Sequence, residues 1–181
     1  ILVDNGFFKH FPERTMRINA VLGHGIEVRG DIKNTRRFDA IFENEGEITM
    51  GDAARIDGHG LLLSLAPKQN RNAEAEFNNR ETGILRIDRV GKSGIKMEER
   101  LNFNDGEVKL SNENIIHIGI NTPANDAIPA HGFDVIQGIV TFTDDARTKI
   151  DNVESHGFRV EEGRVSLNGL LEIGLTRGIG E

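Results

Sequence analysis

The 181-residue chain contains no cysteine, no tryptophan and no tyrosine. Without cysteine no disulfide bond can form, and the absence is more typical of an extracellular bacterial protein than of a reduced cytosolic one. Tryptophan and tyrosine combine a large buried area with a polar group, and compact enzymes usually carry several. Their absence, beside ten phenylalanines, favours a repetitive scaffold whose inner positions are narrow.

Positive charge is also in deficit, with 22 Lys and Arg against 29 Asp and Glu and a formal net charge of -7. Phosphate binding needs clusters of Lys and Arg, and the nearest approach to one is the pair Arg36–Arg37. We therefore expect no nucleic-acid partner. No run of about 18 apolar residues is present, so we also expect no membrane insertion of this segment. No signal peptide is visible, and the chain opens at Ile1 and closes at Glu181 in strand-like sequence, which predicts a fragment of a longer chain or a stacking subunit.

Glycine, in contrast, is abundant, and much of it belongs to a repeat. The segments His131–Phe142 and His156–Leu167 align without a gap on the pattern His-Gly-Phe-x-Val-x-x-Gly-x-Val-x-apolar. A shorter copy begins at His24, and half copies begin at His59 and Ser93. The successive copies start 35, 34, 38 and 25 residues apart, which indicates one structural unit of variable length.

Each copy combines period-2 alternation with turn sequences such as Asn44-Glu-Gly46, where Asn and Gly tolerate positive φ. A single pair of such short strands cannot bury its apolar face, whereas stacked copies share a continuous core. The sequence therefore predicts an all-β fold, a right-handed parallel β-helix (β-solenoid) with irregular rungs. An antiparallel sandwich is the competing layout. Residues 1–19 depart from the pattern and are predicted to be a partial cap or lead-in segment, with solenoid repeats over residues 20–181.

Two stretches interrupt the repeat and are predicted to be protruding loops. Residues 66–76 are polar, and residues 121–130 contain two of the four prolines. Insertions in repeat proteins map to loops, often on the binding face. We therefore expect ligand contacts through these two loops or through a flat sheet face.

Two groups of residues could carry chemistry. The His-Gly pairs at His24, His59, His131 and His156 would form a line if the copies stack, and a line of imidazoles could bind metal or sense pH. The alternative is that each His is an exposed turn residue beside a flexible glycine, which is favoured because Ser93 occupies the same place. The acidic residues Asp144, Asp145 and Asp151 could bind calcium or act on glycosides, and the alternative is a solvated turn.

The repeat text also carries a family resemblance. The segments concerned lie within about residues 20–175 and are Asn44–Ile48, Asn104–Val108, Gly25–Val28, Gly94–Met97, Gly132–Val135 and Gly157–Val160. In these the chain resembles the β-helical passenger regions of bacterial autotransporters and related secreted adhesins. The resemblance implies a secreted or bacterial cell-surface protein without a cofactor. It also implies binding to a glycan or protein on a host or neighbouring cell.

A second resemblance is to polygalacturonase-type glycoside hydrolases, which carry Asn-Thr-Asp, Asp-Asp, Ser/Gly-His-Gly and Arg-Ile-Lys in that order. This chain has Asn121-Thr122, Asp144-Asp145 and Ser155-His156-Gly157. It departs from the pattern at Pro123, which replaces an aspartate, and it has no Arg-Ile-Lys afterwards. The loss of a carboxylate would remove part of the acid/base apparatus.

The leading functional hypothesis is thus a non-enzymatic β-solenoid that serves as an adhesin, stalk or filament segment and can self-associate through its ends. A polysaccharide-active enzyme (hydrolase, lyase or phage-type depolymerase) is the alternative, and it requires that Asp144, Asp145 and His156 converge in one groove. A third hypothesis is a viral fibre or spike segment, which shares the architecture and would form a stable trimer in solution. We assign no catalytic, cofactor-binding or metal-binding residue.

Overall fold

The structure is a computed structural model that describes residues 1–33, 36–65, 73–99, 107–123 and 126–174. Within these ranges the chain forms three parallel sheets and no α-helix. Sheet A comprises β1 (Leu2–Asp4), β4 (Ile26–Lys33), β8 (Leu61–Leu65), β11 (Ile95–Glu99), β14 (Phe133–Val135) and β17 (Phe158–Val160). Sheet B comprises β2 (Phe7–His10), β6 (Ala40–Asn44), β9 (Glu74–Asn79), β12 (Glu107–Asn112), β15 (Ile139–Phe142) and β18 (Arg164–Leu167). Sheet C comprises β3 (Thr15–Ile18), β7 (Glu47–Met50), β10 (Ile84–Ile87), β13 (Ile115–Ile118), β16 (Arg147–Ile150) and β19 (Leu170–Ile173).

The chain passes through sheets A, B and C in turn, and each such pass is one rung of a solenoid. Neighbouring strands within each of the three sheets are equivalent strands of successive rungs, and they pair in parallel. The only antiparallel pair in the described residues joins β4 to the short β5 (Arg36–Phe38). The prediction of an all-β parallel solenoid is therefore confirmed, and the antiparallel sandwich is wrong.

Residues 1–19, which depart from the repeat pattern, contribute one strand to each sheet. β1 pairs with β4, β2 pairs with β6 and β3 pairs with β7, all in parallel. The ring of Phe8 packs at a tilt against that of Phe42 with a centroid distance of 4.7 Å, and Phe42 stacks on Phe77 at 5.3 Å. The opening segment thus shares the core of the repeats that follow it.

The core lies inside the bore, where alternate residues of each strand point inward. The last residues of the sheet C strands form one such column, and Met50, Ile87, Ile118 and Ile150 in it are fully buried. Complete burial of one aliphatic side chain stabilises a fold by about 2 kcal/mol. Because every rung repeats the same inward positions, this contribution accumulates along the axis.

Sheet B carries a ladder of buried amides, which we call the asparagine ladder: Asn44, Asn79 and Asn112. The Nδ2 of Asn44 donates to the Oδ1 of Asn79 at 2.8 Å, and the Nδ2 of Asn79 donates to the Oδ1 of Asn112 at 2.8 Å. All three are fully buried, and none has a positive φ. The interpretation of Asn44 as a residue chosen for positive φ in a turn is therefore wrong, because its amide is needed inside the bore.

The glycines of the His/Ser-Gly pairs are required by close packing. A Cβ on Gly60 would lie 2.5 Å from the Cγ2 of Ile87, and one on Gly132 would lie 2.3 Å from the Cγ2 of Ile150. Neither glycine has a φ in the left-handed region. The expectation that these glycines supply conformational freedom is thus corrected: the chain enters sheet A directly against the last side chain of sheet C.

The described parts of the two predicted loops differ from the prediction. Residues 66–72 lie outside the described residues, and Glu74–Glu76 belong to β9, so the first loop ends earlier than expected. In the second stretch, residues 124–125 also lie outside the described residues. Ile128 is fully buried and forms a parallel bridge with Val153. At least this part of residues 121–130 therefore packs into the solenoid and does not protrude.

Candidate functional site

Five residues at the corner before sheet A lie in successive rungs, and we call them the corner column: His24, His59, Ser93, His131 and His156. The ring centroids of His24 and His59 are 5.2 Å apart, and those of His131 and His156 are also 5.2 Å apart. The predicted line of imidazoles therefore exists, with Ser93 between two histidine pairs.

The imidazoles of the corner column accept backbone hydrogen bonds from the next rung. The Nδ1 of His24 accepts the N–H of His59 at 3.1 Å, and the Nδ1 of His59 accepts the N–H of Ser93 at 3.1 Å. The Nδ1 of His131 accepts the N–H of His156 at 3.3 Å. These nitrogens are thus engaged in joining rungs, and among the described residues no group of three or more His, Asp or Glu is arranged to hold a metal ion.

Burial sets the electrostatics of this column. Burial, with a smaller contribution from the neighbouring His24, lowers the pKa of His59 to about 4. Burial also lowers the pKa of His131. The interpretation of these residues as exposed turn positions is wrong for His59 and Ser93, which are both buried. Near neutral pH the buried imidazole of His59 is uncharged, as its acceptor role requires.

The acidic residues predicted as one group are divided between two corners. Asp144 and Asp145 are exposed in the turn between β15 and β16. Asp151 follows β16, and its Oδ1 accepts the N–H of Asn152 at 2.8 Å. The four residues of β16 span about 13 Å at the usual rise of a strand. The three carboxylates therefore do not converge on one ion.

The residues that resemble the polygalacturonase pattern are also separated. His156 lies in the corner after β16, whereas Asp144 and Asp145 lie in the turn before it, so they are at opposite ends of this strand. Asn121 belongs to the corner after β13, where its N–H and Nδ2 both donate to the carboxylate of Asp88. Hence the structure does not place Asp144, Asp145 and His156 in a common groove.

The outer face of sheet C carries a row of polar and basic side chains that sequence reasoning did not single out. These occupy the third position of each strand in register, and we call them the sheet C row: Arg17, Thr49, Arg86, His117, Lys149 and Glu172. Four of the six are basic residue types, although the whole chain has a net charge of -7. Three of the members, Arg17, Arg86 and Lys149, carry a full positive charge. The row ends at Glu172, whose Oε2 lies 3.9 Å from the Nζ of Lys149.

Arg86 is held at the centre of this row. Its Nε lies 3.1 Å from the Oε1 of Glu47, and one of its terminal nitrogens donates to the Nδ1 of His117 at 3.0 Å. Burial lowers the pKa of His117, and the charges of Arg86 and Lys149 lower it further. These contacts fix the position of the guanidinium through its Nε and one terminal nitrogen, and the other terminal nitrogen carries the further donors with which Arg binds anionic groups.

The outer face of sheet B has the opposite character. Lys109 lies among three carboxylates, 2.6 Å from Glu107, 3.4 Å from Glu74 and 3.8 Å from Glu76. Burial raises the pKa of Glu76, and a hydrogen bond with Glu74 raises it further. Two carboxyl groups in direct hydrogen-bond contact are closer than the pairs that flank a glycosidic bond, which stand about 5 Å or more apart.

The sheet C row could have been recognised as the third residue in each copy of a four-residue strand that ends in Ile or Met. Successive members are 23 to 37 residues apart in sequence, so they form no charge cluster in the linear sequence. No helix in the described part of the chain is long and apolar enough to cross a membrane. No protein-family model, no curated protein and no solved structure matches this chain.

Proposed function

We propose that this protein is a non-enzymatic, secreted or surface-exposed β-solenoid that serves as an adhesin or stalk segment. Its ligand is an acidic glycan on a host or neighbouring cell, bound along the outer face of sheet C. The observation that carries the proposal is the sheet C row, which presents Arg17, Arg86 and Lys149 on alternate rungs.

The spacing of these cations suits an extended chain. Adjacent parallel strands are about 4.8 Å apart, so alternate rungs place the cations about 9.6 Å apart along the axis. A linear polysaccharide that carries one acidic group per disaccharide would lie along such a row. Arg offers several fixed donors for a carboxylate or sulfate, and the surrounding flat sheet gives a long surface without a cleft.

The separation of Asp144 and Asp145 from His156 supports a binding role over catalysis. A glycoside hydrolase needs two carboxyl groups on opposite sides of one bond, and these three residues occupy two corners. The Glu74–Glu76 contact on sheet B is too close for that chemistry. A polysaccharide-active enzyme remains the rival function and is an outcome of the test.

The test compares binding of the chain to acidic and neutral polysaccharides with that of a variant carrying Arg86→Ser and Lys149→Ser. We expect the wild-type protein to bind an acidic polysaccharide, more weakly as salt is raised, because exposed charges are screened. We expect the variant to bind about tenfold more weakly or worse, which corresponds to about 1.4 kcal/mol.

A matched control carries Lys9→Ser and Lys109→Ser, which removes the same charge from sheet B. Equal loss in both variants would mean that overall charge, and not the sheet C row, determines binding. Binding to immobilised protein ligands with no response to any glycan would contradict the glycan as ligand. Release of reducing sugar from any polysaccharide would favour the enzyme instead.

A further inference from the structure

His117 lies in the interior of the sheet C row and is in direct contact with one of its cations. It is on β13, in register with Arg86 on β10 and with Lys149 on β16. A terminal nitrogen of Arg86 lies 3.0 Å from the Nδ1 of His117. The polysaccharide contacts proposed for this row involve Arg17, Arg86 and Lys149, so the imidazole between two of these cations has no role in them.

The contact with Arg86 determines which nitrogen of His117 carries the ring proton. A guanidinium has donors but no acceptor and keeps its charge in proteins, so the Nδ1 of His117 must accept the hydrogen bond. The ring proton is therefore on Nε2, and the imidazole is uncharged. The surroundings favour the same form, because burial lowers the pKa of His117 below its ordinary value of 6.5 and the charge of Arg86 contributes in the same direction.

Charged groups surround His117 on the two adjacent strands, at the corner after β10 and on β19. The nearest cations disfavour protonation of the imidazole, whereas two carboxylates oppose this effect and raise its pKa. We therefore expect His117 to gain a proton at mildly acidic pH, below 6.5. The charged residues concerned are Arg86, Asp88, Arg147, Lys149 and Glu172.

Protonation of His117 changes the row in two ways. A proton on Nδ1 removes the acceptor and places two positively charged donors against each other, so the contact with Arg86 breaks and one terminal nitrogen of Arg86 is released. The Nε of Arg86 keeps its contact with Glu47. His117 also becomes a cation between Arg86 and Lys149, on strands about 4.8 Å apart. Three consecutive rungs then carry positive charge where two alternate rungs did before.

We propose that His117 is a positioning residue of the polysaccharide-binding surface, which holds Arg86 in its neutral form and, once protonated, releases Arg86 and joins the row as a cation. The inference rests on the proposed function and deepens it, since it makes the acidic glycan bind more tightly in mildly acidic surroundings. By linkage, a polyanion bound over the row also favours the protonated imidazole, so binding and proton uptake reinforce each other.

Binding of dextran sulfate to the full chain near pH 7.5 and near pH 5.5 tests the proposal, because sulfate esters stay charged at both values. We expect the wild-type protein to bind about fivefold more tightly at the lower pH, through one added cation. His117→Gln, whose amide oxygen can still accept from Arg86 but cannot titrate, is expected to bind almost equally at both. The matched control His156→Gln removes an exposed histidine of the corner column and should retain the wild-type pH dependence. Circular dichroism at both pH values checks that every protein is folded.

NMR of histidine labelled with ¹⁵N provides a readout that does not depend on affinity. Near pH 7.5 we expect the proton of His117 on Nε2, with a protonation midpoint that rises when dextran sulfate is added. A proton on Nδ1 near pH 7.5, weaker binding near pH 5.5 or an equal pH dependence in wild type and His117→Gln overturns the role of His117 while polysaccharide binding stands. No binding at either pH overturns the proposed function and this inference with it.

Discussion

At the scale of single residues, the glycines of the repeat show how little space separates two sheets. Gly94 follows the corner column and lies against Ile118 of sheet C. The same relation holds for Gly60 and Ile87 one rung earlier. A side chain at these positions would have to displace either an isoleucine methyl group or the backbone of the next rung.

Gly94→Ala is expected to destabilise the fold by about 1–3 kcal/mol, the usual cost of adding a methyl group to a packed core. Its Cβ would lie 2.6 Å from the Cγ2 of Ile118 and 2.9 Å from the carbonyl oxygen of Gly132. Gly23→Ala is the matched control, because nothing lies within 4 Å of a Cβ at that position. Urea unfolding measures both, and equal midpoints for the two variants would contradict the packing explanation.

At the scale of strands, the asparagine ladder joins sheet B from rung to rung. The ladder begins at His10, whose Nδ1 lies 2.9 Å from the Oδ1 of Asn44, and its last amide donates to the Oγ1 of Thr148 at 3.1 Å. Each buried amide of the ladder depends on the side chains of the neighbouring rungs for its hydrogen bonds. The ladder therefore couples strands that are far apart in sequence.

Asn79→Ala is expected to cost at least about 2 kcal/mol, because removal of a buried partner leaves other polar groups unsatisfied. The groups affected are the Nδ2 of Asn44 and the carbonyl oxygens of Gly83 and Ile115. Asn78→Ala, the adjacent residue on the outer face, should change stability by less than about 0.5 kcal/mol. Chemical denaturation of the two variants measures this difference. Similar losses of stability in both would mean that the ladder does not explain the effect of Asn79→Ala.

At the scale of the whole molecule, the corner column links stability to pH. His59 has a pKa of about 4 in the folded protein and an ordinary value near 6.5 in the unfolded chain. Below pH 6.5 the unfolded chain therefore binds a proton that the folded protein does not. The contribution is fully present above pH 6.5 and is lost as the pH falls towards 4.

We expect His59 to reduce the free energy of unfolding by about 2 kcal/mol between pH 7 and pH 5. His59→Ser should remove most of this dependence, and Ser93 shows that the column accommodates serine. His156→Ser is the control, since His156 is an exposed member of the same column. Denaturant unfolding of all three proteins at both pH values provides the measurement. Parallel pH curves for wild type and His59→Ser would refute this role.

Much of the fold follows from the sequence, whereas the details of the candidate site do not. Period-2 alternation and the recurring Gly-x-x-Val text predict strands, their parallel order and the inward positions. The corner positions of His24, His59, Ser93, His131 and His156 are predicted by the repeat itself. The expected exposure of His59 is wrong, because a residue's burial depends on the rungs above and below it.

The sequence alone determined the unit of this protein: short alternating strands, glycine at the corner and a stacking order along the chain. Tertiary structure decided which side chains meet across rungs, such as His10 with Asn44 and Arg86 with Glu47 and His117. It also separated Asp144 from His156, which lie before and after β16. The physical reason is that alternation is a local property of a strand, whereas contacts between rungs depend on rung length, which here varies from 25 to 38 residues.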